Sequence, residues 1–554
     1  MKLLVTGLLL ITSLNVHALT PNWSEQAAPQ GPNPYLLPAN DFPVYRDNGK
    51  IHAQIYPVNI TGILPPYEPI RQTVESGSSN PLREFLNSLF RTASGYKSMD
   101  DLLKDVGLHE YPKATDQGVY SVPYPEGIRP GHRMGLGMIE SAQGTGFNFS
   151  CATCHSSNLF GKTVLGMTNR FPKANEFFIK AKKASELIQP KFFQIYTHAT
   201  DGETEMLKTF KKNMRSVGLK QPIALGLDTS LAQVSLSLNH RNPDAYASFN
   251  PHFAKNPRPD AILDQQPADS KPAVWWNVKY KNRWLSDGSV VSGNPIFTNI
   301  LWNEIGRGTD LVQLESWLQE NDQVIQEITT AVFSSEAPRY TDFFPASQID
   351  IGLAQKGEQI FNNTCARCHG HYDKAWSLPN ALQLSPEERL RTVAVRYGSQ
   401  THVKNVGTDP YRYRGMKSLE QLNNLTISKN NGILIRAQEG YVPPPLVGIW
   451  ARWPYFHNNS VPSLCAVLTA AQDRPKFYYS GAAINKKTDF DSECNGYPLG
   501  KATPAAWKTA DHLYDTRKAG MGNQGHDEDI FLENGKELLL PEQKRALIQF
   551  LQTL

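Results

Sequence analysis

Cysteine is scarce, with six in 554 residues. That excludes a fold held together by a dense disulfide framework. Charge of one sign is also lacking: 56 basic against 52 acidic residues leave a net +4. No clustered basic footprint for nucleic acid is indicated. Beyond the start of the chain no apolar run approaches the about 20 residues that a membrane-spanning helix needs. Solenoid-type periods are absent, and no stretch reads as a β-rich domain. What remains is a globular composition, 40% hydrophobic and 19% charged. The length predicts two or three domains, mainly α.

The opening "MKLLVTGLLLITSLNVHA" has one cation, Lys2, an apolar run from Leu3 to Leu14, and small residues at Val16 and Ala18. This pattern predicts a signal peptide over 1–18, cleaved to leave a periplasmic or secreted chain without a membrane span. Residues 19–130 are rich in Pro, Asn, Tyr and Gly and read as an irregular, loop-rich arm. A short helix is expected at "NPLREFLNSLF", with Asn80 as N-cap before Pro81. Helical periodicity follows at "KANEFFIKAKKASELI", "DGETEMLKTFKKNMRSV" and "GTDLVQLESWLQENDQVIQEITTAVF", the last being the longest candidate. The pattern breaks between Ser334 and Pro345, which divides a first unit, 131–340, from a second, 341–554. In the second, Ile351, Ala354 and Ile360 share a helical face, and Leu547, Phe550, Leu551 and Leu554 form a terminal stripe.

Two short stretches carry chemistry. "FSCATCHSS" contains Cys151, Cys154 and His155; "NNTCARCHG" contains Cys365, Cys368 and His369. Cysteines three apart on a helical turn share a face and reach two vinyl groups of one porphyrin. The next residue places an imidazole under the ring. Cys-x-x-Cys-His is therefore the attachment signature of c-type haem, with the histidine as proximal iron ligand. A four-sulfur zinc site leaves both histidines unexplained and suits reducing compartments. A redox dithiol does not call for histidine after both pairs. Two covalently bound haems are expected. One suffices to carry one electron, so two suggest that one meets a substrate while the other stores or relays charge. The remaining pair, Cys465 and Cys494, is expected to form a disulfide in an oxidising compartment.

A sixth ligand decides whether each iron transfers electrons or binds an oxidant. For the second haem the candidates are His457, His526, Met416 and Met521; for the first, Met167, His198 and His240. Trp275, Trp276 and Trp284 in "PAVWWNVKYKNRWLSDGS" are candidates to roof a distal pocket or bridge the haems. The candidate catalytic set is His155, Trp276 and Trp284.

"GEQIFNNTCARCHG" resembles the helix that leads into the haem motif of class I cytochromes c. "GIWARWPYFHNNSVPSL" is similar to the "PYFH" segment of bacterial di-haem cytochrome c peroxidases. The continuation "CHSSNLFGKTVLGMTN" and the terminal "GNQGHDED" resemble the di-haem rubber oxygenase branch of that superfamily. The resemblance implies two class I cytochrome c-like haem domains with loop-rich insertions. In the peroxidases a methionine downstream of "PYFH" ligates the second haem, but Ala466 to Lys476 contains none. The oxygenase branch implies a bis-histidine second haem whose distal ligand matches His526, with His457 the alternative. It implies an oxidant-binding first haem with His155 as its protein ligand. A calcium ion at the domain interface is also implied, with ligands the sequence does not assign. The function expected is a haem-dependent oxidoreductase of peroxidase or dioxygenase type. Its partners are H2O2 or O2, and either a cytochrome or cupredoxin donor or an apolar organic substrate. The alternative is a non-catalytic di-haem electron-transfer cytochrome.

Overall fold

The computed structural model describes residues 20–75, 84, 87, 88, 91 and 95–554. The expected signal peptide and most of the expected helix over 80–90, with its Asn80 cap, lie outside these residues. Helices dominate the described residues, and strands occur there only as six two-stranded sheets.

The expected helices at 174–187 and 201–214 form. The second starts with a capping box: Thr200 accepts from the Glu203 amide, and the Glu203 carboxylate reaches back to the Thr200 amide. The longest candidate is not one helix. It breaks at Asn321 into Leu311–Glu320 and Asp322–Ser334. The Asn321 side chain donates to the Trp317 carbonyl at 2.8 Å, so it caps the first helix instead of continuing it. The N-terminal arm is also less irregular than its composition suggests. Asp41–Ile55 is a helix lying on Asp322–Ser334. A Cβ at Gly49 would sit 1.9 Å from the Glu327 carbonyl oxygen, so glycine is what lets the backbones meet. His52 and Asn48 then both reach the Glu327 carboxylate at 3.0 Å. Periodicity missed this helix because packing, not a strong apolar stripe, holds it.

In the second unit, Ile351–Thr364 begins at Asp350, whose carboxylate accepts from the Leu353 amide. It buries Ala354, Gly357 and Phe361, while Ile351 and Ile360 remain half-buried. The terminal helix Pro541–Leu551 crosses it, with Phe361 and Phe550 rings 5.2 Å apart. At the crossing a Cβ on Gly357 would lie 2.0 Å from the Ala546 carbonyl oxygen. Gly357→Ala should therefore lower stability by about 1–3 kcal/mol through overpacking, measurable by urea unfolding.

Apolar side chains gather in three clusters. The largest belongs mainly to residues 340–554 but takes in Leu159, Met167, Val274 and Trp276. A second belongs mainly to the first half but takes in Met416 to Ile435. Strand 290–292 pairs with 434–435 across the same seam. The halves thus exchange segments, and this brings the two cysteine motifs into relation.

Candidate functional site

An antiparallel hairpin, 136–141 with 144–149, delivers the chain to the first motif. Cys151–Cys154 makes one helical turn, closed by the His155 amide on the Cys151 carbonyl at 3.0 Å. Thr153 donates to the Gly135 carbonyl at 2.8 Å, and the Asn169 side chain donates to the Thr153 carbonyl at 2.7 Å. The second motif follows Ile351–Thr364 directly, with the His369 amide on the Cys365 carbonyl at 3.0 Å.

Both motif histidines are held in one orientation. His155 Nδ1 lies 2.8 Å from the Ala273 carbonyl oxygen, and His369 Nδ1 lies 2.8 Å from that of Pro444. A carbonyl can only accept, so Nδ1 carries the proton in each and Nε2 keeps its lone pair. Burial lowers both pKa values and favours the neutral ring. A neutral imidazole with its second nitrogen anchored is the form that ligates a metal. Two cysteines three apart, with that imidazole next in the chain, fit covalent haem at both sites.

Pro444 belongs to "VPPPLVG". Proline has no amide N–H, so this run presents carbonyls alone. Pro443 accepts from the Tyr397 hydroxyl at 2.6 Å, Pro444 from His369, and Pro445 from Asn277 at 2.8 Å and Arg452 at 3.1 Å. Two residues further, the Val447 carbonyl accepts from Trp276 Nε1 at 2.9 Å. Trp276 is fully buried and ties the segment behind His155 to the segment behind His369.

The other tryptophans lie elsewhere. The Trp275 ring centroid is 5.9 Å from that of His155, and the Trp275 amide donates to Gly166, whose own amide donates to the His155 carbonyl. Trp275 is thus tied by backbone hydrogen bonds to the segment that carries His155. Trp284 packs edge-on against Trp23 at 6.1 Å in the first-half core, with Nε1 buried and unpaired.

Of the sixth-ligand candidates, His526 is brought to a motif histidine. The His369 and His526 rings lie 6.2 Å apart, centroid to centroid. An imidazole nitrogen sits about 2 Å from a first-row metal, so two imidazoles trans across one ion have centroids about 6 Å apart. Burial, chiefly, lowers the His526 pKa to about 3, and its Nδ1 has no hydrogen-bond partner. Its backbone has φ +57°, its amide donates to the Val406 carbonyl at 2.8 Å, and Arg474 Nη1 holds the Gly525 carbonyl at 2.7 Å. His457 instead stacks on Tyr441 at 3.9 Å, with Nε2 buried and unpaired. Met416, Met521 and Met167 are buried in core clusters. His198 is exposed, and His240 Nδ1 lies 3.2 Å from the Ala254 carbonyl oxygen.

Cys465 and Cys494 are joined as a disulfide. The four motif cysteines take no part in a disulfide, and among the described residues no group of three His, Cys, Asp or Glu gathers around a metal position. The two cysteine pairs do not converge on one zinc site.

Two further groups flank the first motif. Glu304 and Arg307 make a buried ion pair at 2.9 Å. Arg307 Nη2 also donates to the Phe149 carbonyl at 2.8 Å, two residues before Cys151. Asp269, with Asp228 as a charged neighbour, has its pKa raised to about 7, chiefly by burial. An unfolded Asp titrates near 3.9. Between those values the folded chain holds the extra proton, so Asp269 costs stability as pH rises toward 7. Asp269→Asn should gain about 2 to 3 kcal/mol over the parent between pH 5 and pH 8, read from urea unfolding at both.

Sequence reasoning did not find Ala273, Pro444 or Val447. They act through carbonyl oxygens, which every residue type carries, so no residue-type signal existed.

A family described as RoxA-like, cytochrome c-like, matches residues 440–479, the stretch that holds the proline run, Arg452, His457, Cys465 and Arg474. Two uncharacterized proteins of Sinorhizobium fredii are similar. The first, y4iJ, is 24% identical over 74% of this chain and 77% of its own length. The second, y4iM, is 28% identical over 53% of this chain and 63% of its own length. The family match supports a haem-containing oxidoreductase with covalently bound haem c. No helix among the described residues is long and apolar enough to cross a membrane.

Proposed function

We propose that the chain is an exported di-haem c-type oxidoreductase with two cytochrome c-like haem domains. The His155 site would meet the oxidant, while His369 and His526 would hold the second haem, which would store or pass electrons. Bound haem would supply the iron that exchanges electrons and activates O2 or peroxide. One observation carries the reading: the His526 ring lies 6.2 Å from the His369 ring. The residues divide the work accordingly. Ala273 and Pro444 fix the Nδ1 proton and aim Nε2. Arg474 holds the loop that presents His526. Trp276 joins the two proximal segments through Val447.

Oxygen-dependent cleavage of an unsaturated apolar substrate is the reaction favoured within this class. Its support is the RoxA-like match over 440–479 and the absence of methionine between Ala466 and Lys476. The test is an optical and paramagnetic spectrum of the purified ferric protein, followed by assay. One high-spin and one low-spin haem are expected, with oxygen uptake on polyisoprene or a stilbene. Peroxide-dependent oxidation of a reduced cytochrome or cupredoxin would favour the peroxidase instead. Two low-spin haems with neither activity would make the chain an electron carrier.

A further inference from the structure

Between the two motifs lies a group of cations without acid partners among the described residues, Arg170 buried and Lys271 and Arg452 half-buried. Lys271 stands two residues before Ala273, the anchor of His155; its Nζ donates to the Pro454 carbonyl at 2.7 Å and the Arg452 carbonyl at 3.3 Å. Arg452 makes one side-chain hydrogen bond, to the Pro445 carbonyl beside the anchor of His369. Arg170 donates to the Ala451 and Trp453 carbonyls and stacks on the Trp453 ring at 4.2 Å. None of the three has an ion pair among the described residues. Burial and mutual repulsion push the Lys271 pKa far down, with Arg452 and Arg170 the charged neighbours responsible. Burial likewise lowers Arg452 to about 10. Both arginines stay charged at neutral pH even so.

Cations so placed, bonded only to neutral carbonyls and hydroxyls, favour any anion that reaches them. A hollow of about 10 Å³, lined by Met167, Val274, Lys271 and Arg452, runs from the chain after the first motif into the group. It admits one water-sized group, the size of a carboxylate oxygen.

We propose that Lys271 and Arg452, braced by Arg170, form a seat for the propionate carboxylates of haem at the seam between the two attachment sites. The inference rests on the two-haem reading and extends it. The Arg452 guanidinium is bonded beside the anchor of His369, the Lys271 backbone lies two residues from the anchor of His155, and Lys271 Nζ is bonded to the Arg452 carbonyl. The seat therefore serves both haems, and its charge sets their reduction potentials together. A cation near iron favours the ferrous form, because it repels the positive charge that oxidation adds.

The test uses the holoprotein. Thioether attachment keeps haem in place when propionate contacts are weakened, so Lys271→Met and Arg452→Gln can be purified with both haems. Spectroelectrochemical titration should show at least one midpoint falling by about 59 mV, a tenfold change in the ferric to ferrous ratio. Lys271→Arg and Arg452→Lys, which keep the charge, should shift by less than half of that. Unmoved midpoints in folded two-haem Lys271→Met and Arg452→Gln proteins overturn the proposal, leaving the cations as braces for the 451–454 turn. A parent protein that does not carry two covalent haems overturns the two-haem reading and this inference with it.

Discussion

His526→Gly should turn about half of the haem in the ferric protein from low-spin to high-spin. Glycine suits the φ of +57° at this position, so the backbone survives the change. The remaining geometry supports that survival. Gly525 packs against the Val406–Gly407 backbone, where a Cβ would lie 2.3 Å from the Gly407 carbonyl carbon, and Arg474 holds the Gly525 carbonyl. The loss is then confined to the ring facing His369. Added imidazole should refill the space and restore the low-spin spectrum. His457→Ala is the control: its ring stacks on Tyr441, so spin state should not change. A high-spin signal from His457→Ala and none from His526→Gly would reverse the assignment.

Glu304→Ala should destabilise the protein by about 3–5 kcal/mol, the cost of stranding a buried charge. The Glu304 side chain is 0% exposed and that of Arg307 6%. Glu304 also accepts from the Tyr56 hydroxyl at 2.6 Å and from Thr309. Its loss unpairs Arg307, which stacks on Tyr56 at 4.0 Å and holds the Phe149 carbonyl ahead of Cys151. Urea unfolding of parent and variant measures the effect. Glu304→Gln keeps the shape and the acceptor for Tyr56 but not the charge. It should fall between the two, which separates the charge from the packing. A loss below about 1 kcal/mol for Glu304→Ala would mean that Arg307 finds water instead.

Local pattern and long-range pattern were unequally legible. The helices at 174–187, 201–214, 351–364 and 541–551 follow from periodicity and caps, because each buries a stripe that the sequence displays. The helix at 41–55 does not, since its burial depends on Gly49 meeting Glu327 from a segment far along the chain. The break at Asn321 turns on one side-chain bond to Trp317. Among the tryptophans, type and spacing suggested one shared role; the fold separates them into a neighbour of His155, a strut to Val447 and a core residue against Trp23.

The amino-acid sequence alone determined the two attachment motifs, the expected haem chemistry and the candidate histidines. Those depend on covalent spacing and residue type, which are local properties of the chain. Only the tertiary structure decided which histidine faces His369, which carbonyls orient the two proximal rings, and that Lys271, Arg170 and Arg452 gather without acid partners among the described residues. Those depend on segments that are remote in sequence and meet only when the halves exchange strands and core residues, and backbone carbonyls and burial leave no mark on residue type.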